Sequence, residues 1–318
     1  MIGSSQAALD ISDQPDVLAA VCARNEEGLA EARRILEGGR TVRLVGFGSS
    51  RHAAGYGALA LEMRAGLPAV VLPAPGQAVE LPEPKPDQPL IVLSQSGRTP
   101  ALLTVTQRAL QAEVPVIAVT NQAASPLEQM ATVTLDCHAG AERVVAATKS
   151  VTAQCLLLRA LARPIPPDEI DTLVRAVGQA IDLDVCAALT TDPPSVVVAG
   201  GFAAEWVADE IALKITEICG LTVASESVVD YLHGPSASRA PLLAFLEADD
   251  PNAGDLNGNV KRVGPADAFD VVMPQTGDPS LDAIVRLVVG QHIAVAWADV
   301  LGVDPDAPRG LRKVTGTR

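Results

Sequence analysis

Cysteine and histidine are scarce in this 318-residue chain, with five of the one and four of the other. Cys22, Cys137, Cys155, Cys186 and Cys219 lie far apart, include no C-x-x-C pair and are odd in number. Neither a disulfide framework nor a structural zinc site is supported, and no metal or cofactor is expected. The cysteines read as buried, reduced thiols of a cytoplasmic protein. Basic residues are few as well: 24 Lys+Arg stand against 38 Asp+Glu, a formal charge of −14. Duplex nucleic acid calls for Lys/Arg-rich patches that neutralise phosphates, so it is not expected as a partner. No charge-free run of 18 or more apolar residues occurs, so no membrane span is expected. The N-terminal MIGSSQAALDISDQPD lacks a basic stretch followed by an apolar one, so no secretion signal is read there.

What is present suits a large core: 48% of residues are hydrophobic and 19% charged. The length exceeds what one core comfortably fills, which favours two domains. Residues 14–38 have apolar positions at helical spacing and stop at Gly38-Gly39, a helical lead-in. TVRLVGFG then reads as a short strand, RHAAGYGALALEMRAG as a helix and LPAVVLP as a strand. QPLIVLSQSG, TPALLTVTQRALQAE and VPVIAVTN continue as strand, helix and strand. Such alternation predicts a parallel sheet covered by helices on both faces. The stretch 162–171, with three prolines and three acids, is the best linker candidate.

After that stretch the pattern restarts. Gly46 to Gly66 and Gly200 to Gly220 each span a strand end, a helix and a Gly-Leu before the next strand. The two halves therefore read as copies of one α/β unit. They differ at the first turn, where Ser49-Ser50 in one copy face Ala203-Ala204 in the other. The LSQSGRT turn of the first copy has no counterpart near LLAFLEADD.

Ligands of doubly wound sheets bind beyond the carboxyl ends of the strands, where helix N-termini offer N–H groups. Ser49-Ser50 and Ser94-Gln95-Ser96-Gly97-Arg98-Thr99 both fall there, and hydroxyls with backbone amides can hold a phosphate without a lysine. The competing reading is that these hydroxyls only cap helices. A dinucleotide site is disfavoured, since GFGSSR lacks the third glycine, and no Walker A lysine follows.

GFGSS, LSQSGRT, AGAERVVAATKSVTAQ, EIALKITEI, the HGP at 233–235 and the tail DPDAPRGLRKVTGTR together resemble the double-SIS-domain sugar-phosphate isomerases. That family includes the isomerase half of glutamine–fructose-6-phosphate aminotransferase and the SIS-type glucosamine-6-phosphate deaminases. The resemblance implies two tandem SIS domains, each a flavodoxin-like three-layer α/β sandwich with a parallel sheet. The expected boundaries are a lead-in at 1–38, a phosphate-binding domain at 39–163 and a catalytic domain at 172–318.

The resemblance also implies the site. Ser49, Ser50, Ser94, Gln95, Ser96 and Thr99 match phosphate-binding positions, and Val145 and Ala147 match a sugar-contacting segment. Ala147 stands where the aminotransferase has serine, so one sugar hydrogen bond is missing. Glu217 matches the acid that moves a proton between C1 and C2, Lys214 a lysine assisting at the sugar oxygen, His233 a ring-opening histidine and Lys313 a Schiff-base lysine. No glutaminase nucleophile is read at Met1-Ile2. A homodimer is implied, in which His233 can act across the interface.

The chemistry is consistent with these residue types. Ring opening suits a histidine, whose unperturbed pKa is about 6.5, and one carboxylate can serve both carbons. Taken alone, Glu210, Lys214 and Glu217 at i, i+4 and i+7 read as a surface salt-bridge ladder. His233 reads as a turn residue, Lys313 as part of a solvated tail, and His52, His138 and His292 as structural or surface residues. Glu142 is open between a helix-start and a catalytic role. The first reading is a deaminase/isomerase acting on a phosphorylated amino sugar, converting glucosamine 6-phosphate to fructose 6-phosphate and ammonia. The alternatives are a fructosamine-6-phosphate deglycase, another aldose–ketose phosphosugar isomerase, and a non-catalytic sugar-phosphate sensor.

Overall fold

The computed structural model describes residues 4–73, 82–191, 193–201, 205–308 and 310–311. Three helices open the chain: α1 (Gln6–Ser12), α2 (Gln14–Arg24) and α3 (Glu26–Glu37). The lead-in expected as one helical stretch is broken at Asn25, whose φ of −111° and ψ of 15° lie off the helix. The buried Asn25 amide donates to the carbonyls of Val21 and Asp136, while its oxygen accepts the Asp136 N–H at 2.9 Å. A side chain that competes in this way for backbone partners ends a helix.

The β-branched runs form strands β1 (Val42–Val45), β2 (Ala69–Val71), β3 (Leu90–Leu93), β4 (Val116–Thr120) and β5 (Val133–Asp136). All pair in parallel, in the order β2-β1-β3-β4-β5. Helices α4 (Ser49–Ala65), α5 (Pro100–Gln111), α6 (Pro126–Met130) and α7 (Lys149–Ala162) flank this sheet. Every residue of β3 and β4 is buried, which is why they read as unbroken apolar runs rather than alternating ones.

A second all-parallel sheet holds β6 (Val196–Gly200), β7 (Val223–Ser227), β8 (Leu242–Phe245), β9 (Val260–Gly264) and β10 (Val271–Val272). Its helices are α8 (Pro167–Ile181), α9 (Glu205–Cys219), α10 (Val228–Leu232) and α11 (Pro279–Leu301). The proline-rich stretch before α8 is shorter than its composition suggested, because Pro167 opens the helix and Asp168 and Glu169 sit in its first turn.

The described residues form two compact units. The first holds residues 16–141 and 149–167; the second holds 4–15, 142–148 and 168–311. Read from its own first strand, the second sheet has the same order as the first, the 2-1-3-4-5 order of flavodoxin-like folds. Gly66 and Gly220 end α4 and α9 in the left-handed region, with φ of 64° and 70°, so the 20-residue repeat is punctuated where glycine is needed.

The repeat extends into the helix pairs. In the first unit a Cβ on Gly57 of α4 would lie 2.6 Å from Leu158 of α7. In the second, a Cβ on Gly290 of α11 would lie 2.3 Å from Ile211 of α9. The spacing that relates Gly46 to Gly200 also relates Gly57 to Ile211, so the same close crossing is kept while the glycine has changed helix.

Helix α11 is long and apolar enough to cross a membrane by length and composition, but 78% of its most apolar window is buried inside the protein. It also carries the buried charges Asp282 and Arg286. These are the marks of a core helix. Cys137, Cys155 and Cys219 are buried and form no disulfide, whereas Cys186 is exposed, against the expectation of uniformly buried thiols.

Candidate active site

In the first unit the hydroxyl-rich turns stand at the carboxyl ends of β1 and β3, the neighbouring strands between which the strand order reverses. Ser49 and Ser50 are the first residues of α4. The N-cap is Gly48, which makes no side-chain cap bond, so neither serine caps this helix from the N-cap position. Ser50 is nearly buried, and its hydroxyl accepts from Gln154 Nε2 of α7 at 3.2 Å. Gln154 lies in the AGAERVVAATKSVTAQ motif, where no role is read for it from sequence.

The second turn is held by its backbone. Ser94 N–H donates to Val119 O at 3.0 Å, and Gln95 O accepts from Asn121 N–H at 3.0 Å and Thr120 Oγ1 at 3.4 Å. Gly97 has φ of 59°, and a Cβ there would lie 2.2 Å from Ser125 Oγ. Only glycine fits on both counts. The Ser94 and Thr99 hydroxyls are 3.4 Å apart, and Ser96 Oγ accepts the Arg98 N–H at 3.3 Å. Thr99 occupies the N-cap of α5 without a side-chain cap bond, and Pro100 follows at the first helical position. The capping reading therefore fails for Thr99.

In the second unit, Lys214 on α9 is fully buried and ion-paired with Glu217 and, at 3.4 Å, with Glu210. The surface-ladder reading is overturned, because Glu210 is 1% exposed and α9 also buries Val207, Ala208, Ile211, Ala212, Ile215 and Ile218. Helical spacing alone cannot tell an exposed charged face from a buried one. Burial pushes the Lys214 ammonium down, but Glu210, Glu217 and Glu142 outweigh it, and the pKa is raised above the ordinary lysine value.

Glu142 is not at a helix start. It lies in the irregular segment 142–148 of the second unit, where its Oε1 accepts the Thr148 N–H at 2.6 Å. Val145 and Ala147 belong to the same segment and are half-buried. His233 is the exposed residue that ends α10, with its N–H donating to Asp230 O at 3.0 Å. Its side chain makes no ion pair or hydrogen bond to Lys214 or Glu217 among the described residues. Lys313 and Ala203-Ala204 lie outside the described residues.

The corresponding place in the second unit is filled differently. The spacing from Leu158 to Gly290 carries Gln154 onto Arg286, a fully buried arginine whose Nη2 lies 2.6 Å from Glu247 Oε2. Where the first unit sets an amide against a serine hydroxyl, the second sets a guanidinium against a carboxylate. Glu247 follows the end of β8, as the serine turn follows β3. A fixed carboxylate at this place disfavours an anion.

Of the other histidines, His292 is buried on α11 with Nδ1 3.3 Å from Ala180 O, and His138 lies 3.7 Å from Asp136. Both serve local structure. Among the described residues, no cluster of three or more His, Cys, Asp or Glu is arranged to hold a metal.

Comparison with known proteins places these features. Residues 35–164 match the family model of the SIS domain. The chain is 27% identical over 346 residues to the glutamine–fructose-6-phosphate aminotransferase [isomerizing] of Lactococcus lactis subsp. lactis, covering 96% of this chain and 57% of that one. The chain spans only 42–57% of the length of such curated relatives. Among solved structures, a protein provisionally described as a phosphosugar isomerase from Silicibacter pomeroyi superposes with a TM-score of 0.82 at 26% identity, over 95% of this chain and all of that one. The glucosamine-6-phosphate deaminase of Thermotoga maritima shares the fold, with a TM-score of 0.77 at 21% identity over 97% and 99% of the two chains.

Proposed function

We propose that the protein is a phosphosugar isomerase built of two SIS domains, and that its reaction is deamination of glucosamine 6-phosphate to fructose 6-phosphate and ammonia. The observation that carries this reading is the buried Lys214 held between carboxylates on α9, with Glu217 keeping partial exposure. A charged cluster buried within an apolar helix is costly to keep even when paired, and it marks a candidate functional site. The resemblance of SIS-domain isomerases in sequence and fold agrees with it.

In this reading the Ser49-Ser50 turn and the Ser94, Gln95, Ser96 and Thr99 turn take the phosphate through hydroxyls and amides. Val145 and Ala147 contact the sugar. His233 moves the proton that opens the ring, and Lys313 assists at the keto carbon. The exposure of His233 supports its acting on the substrate of a second subunit in a homodimer. Glu217 takes the proton from C2 of the open aldehyde and returns it to C1. Lys214, buried and kept protonated, stabilises through its field rather than by contact the negative charge that develops on the sugar oxygen. The resulting imine at C2 adds water, and ammonia leaves as the C2 ketone of fructose 6-phosphate forms.

The test is ammonia release from purified protein supplied with glucosamine 6-phosphate, with galactosamine 6-phosphate and a fructosamine 6-phosphate alongside. Ammonia and fructose 6-phosphate in equal amounts from the first substrate support the reading. Release of the free amino acid and glucose 6-phosphate from the fructosamine 6-phosphate alone would replace it with a deglycase. Silence on all three, with phosphosugars still raising the Tm, would replace it with another isomerase or a sensor.

A further inference from the structure

Residues 142–148 belong to the second unit, although β5 before them and α7 after them lie in the first. The segment has no regular secondary structure, so its own backbone bonding does not fix it. Side chains tie down both of its ends. At one end, the wholly buried Asp10 of α1 accepts the Arg143 N–H at 2.6 Å through Oδ2 and the Arg143 guanidinium at 2.6 Å through Oδ1. Asp13 accepts from the same guanidinium nitrogen at 2.9 Å.

At the other end, the Thr148 carbonyl accepts from Gln291 Nε2 of α11 at 3.3 Å. Gln291 Oε1 in turn accepts from the buried Gln14 Nε2 at 2.9 Å, immediately beyond α1. Glu142, immediately before the first anchor, reaches across the segment to accept the Thr148 N–H, and it contributes to the raised pKa of Lys214. A buried carboxylate is retained only when its lone pairs are satisfied, and Asp10 spends both oxygens on one residue of this segment.

We propose that Asp10 is a positioning residue: through Arg143 it holds segment 142–148 so that Glu142 acts on Lys214 and Val145 and Ala147 meet the sugar. The inference rests on the phosphosugar reading for its functional half, whereas the clamp itself rests on the bonds just described. Helix α1, which carries Asp10, thus has a task in the site, and a slack segment would misplace groups that catalysis needs held to within a fraction of an ångström.

The experiment compares wild type, Asp10→Asn, Arg143→Met and Arg143→Lys by hydrogen–deuterium exchange, by inorganic phosphate binding and by turnover of glucosamine 6-phosphate. Asp10→Asn is expected to speed exchange in peptides covering 142–148 while leaving those of β3 and α5 unchanged. It should lower kcat by about tenfold or more and alter phosphate affinity by less than about twofold. Arg143→Met, at a partly exposed position, should reproduce both effects if Asp10→Asn folds poorly, and Arg143→Lys should recover part of the lost kcat. Faster exchange with unchanged kcat would overturn the positioning role, and unchanged exchange would overturn the clamp. If wild type turns over none of the phosphosugars, the functional reading fails, and the exchange data alone decide the clamp.

Discussion

Lys214 and Glu217, one helical turn apart on α9, form an ion pair in which the lysine side chain has no exposure and the glutamate side chain keeps 19%. The pair is asymmetric, and this divides the labour. The lysine is locked between Glu210 and Glu217 and stays charged, while the glutamate is the member that can meet a ligand. A carboxylate beside a permanent positive charge and an apolar helix face is suited to pass a proton between adjacent carbons.

Replacing Lys214 by methionine leaves Glu210 and Glu217 without their shared cation. A stability loss of about 3–5 kcal/mol is expected from breaking a buried ionic group on one side only. Adding Glu210→Gln should recover part of it, as measured by urea unfolding. The pH dependence has a definite sign. Because the folded-state pKa of Lys214 is raised, its contribution is fully present below the ordinary lysine pKa and is lost as pH rises through the folded value. The difference between wild type and Lys214→Met should therefore hold steady from neutral to mildly alkaline pH and shrink only in strong alkali.

His292 gives a second pH signature. Burial holds its imidazole below the ordinary histidine value, so the folded protein prefers it neutral. Its contribution is present above the unfolded pKa of about 6.5 and is lost as pH falls below that toward the folded value. The Tm of wild type should fall over this acid range, and His292→Gln should flatten the fall. An equal slope in both proteins would assign the acid sensitivity elsewhere.

Gly97→Ala meets two obstacles together, a left-handed φ of 59° and Ser125 Oγ at 2.2 Å from the new Cβ. The turn that carries Ser94, Gln95, Ser96 and Thr99 must then shift. Inorganic phosphate is expected to lose its stabilising effect on Tm in this variant, along with about 1–3 kcal/mol of intrinsic stability. Gly140→Ala, whose φ of 65° is similar but whose Cβ meets nothing within 4 Å, is the control for strain alone.

The first four strands and their order of appearance could be read from the sequence because buried parallel strands leave short β-branched runs between turns, whereas β5 and most of the second sheet are not read there. The repeat could be read because its helices end at Gly66 and Gly220, where the backbone admits little else. The division of the lead-in at Asn25 could not, since it depends on Asp136, more than a hundred residues away. The burial of Lys214 is signalled only by its apolar flanks IALKI and EICGL, because spacing at i, i+3 and i+4 describes any charged helix face. Membership of 142–148 in the second unit depends on Asp10 and Gln291, which carry no local signal. Arg286 and Glu247 escaped notice for the same reason: they are far apart in the chain and meet only in the fold.

The most direct test of the account is Glu217→Gln, assayed for turnover of glucosamine 6-phosphate and for stabilisation by fructose 6-phosphate. The substitution keeps the shape of the side chain and removes its capacity to take a proton. Turnover should fall by at least about a hundredfold, while fructose 6-phosphate should still raise the Tm, because the hydroxyl turns that take its phosphate are untouched. Turnover equal to wild type would contradict the assignment of Glu217 as the proton carrier and, with it, the central reading of α9.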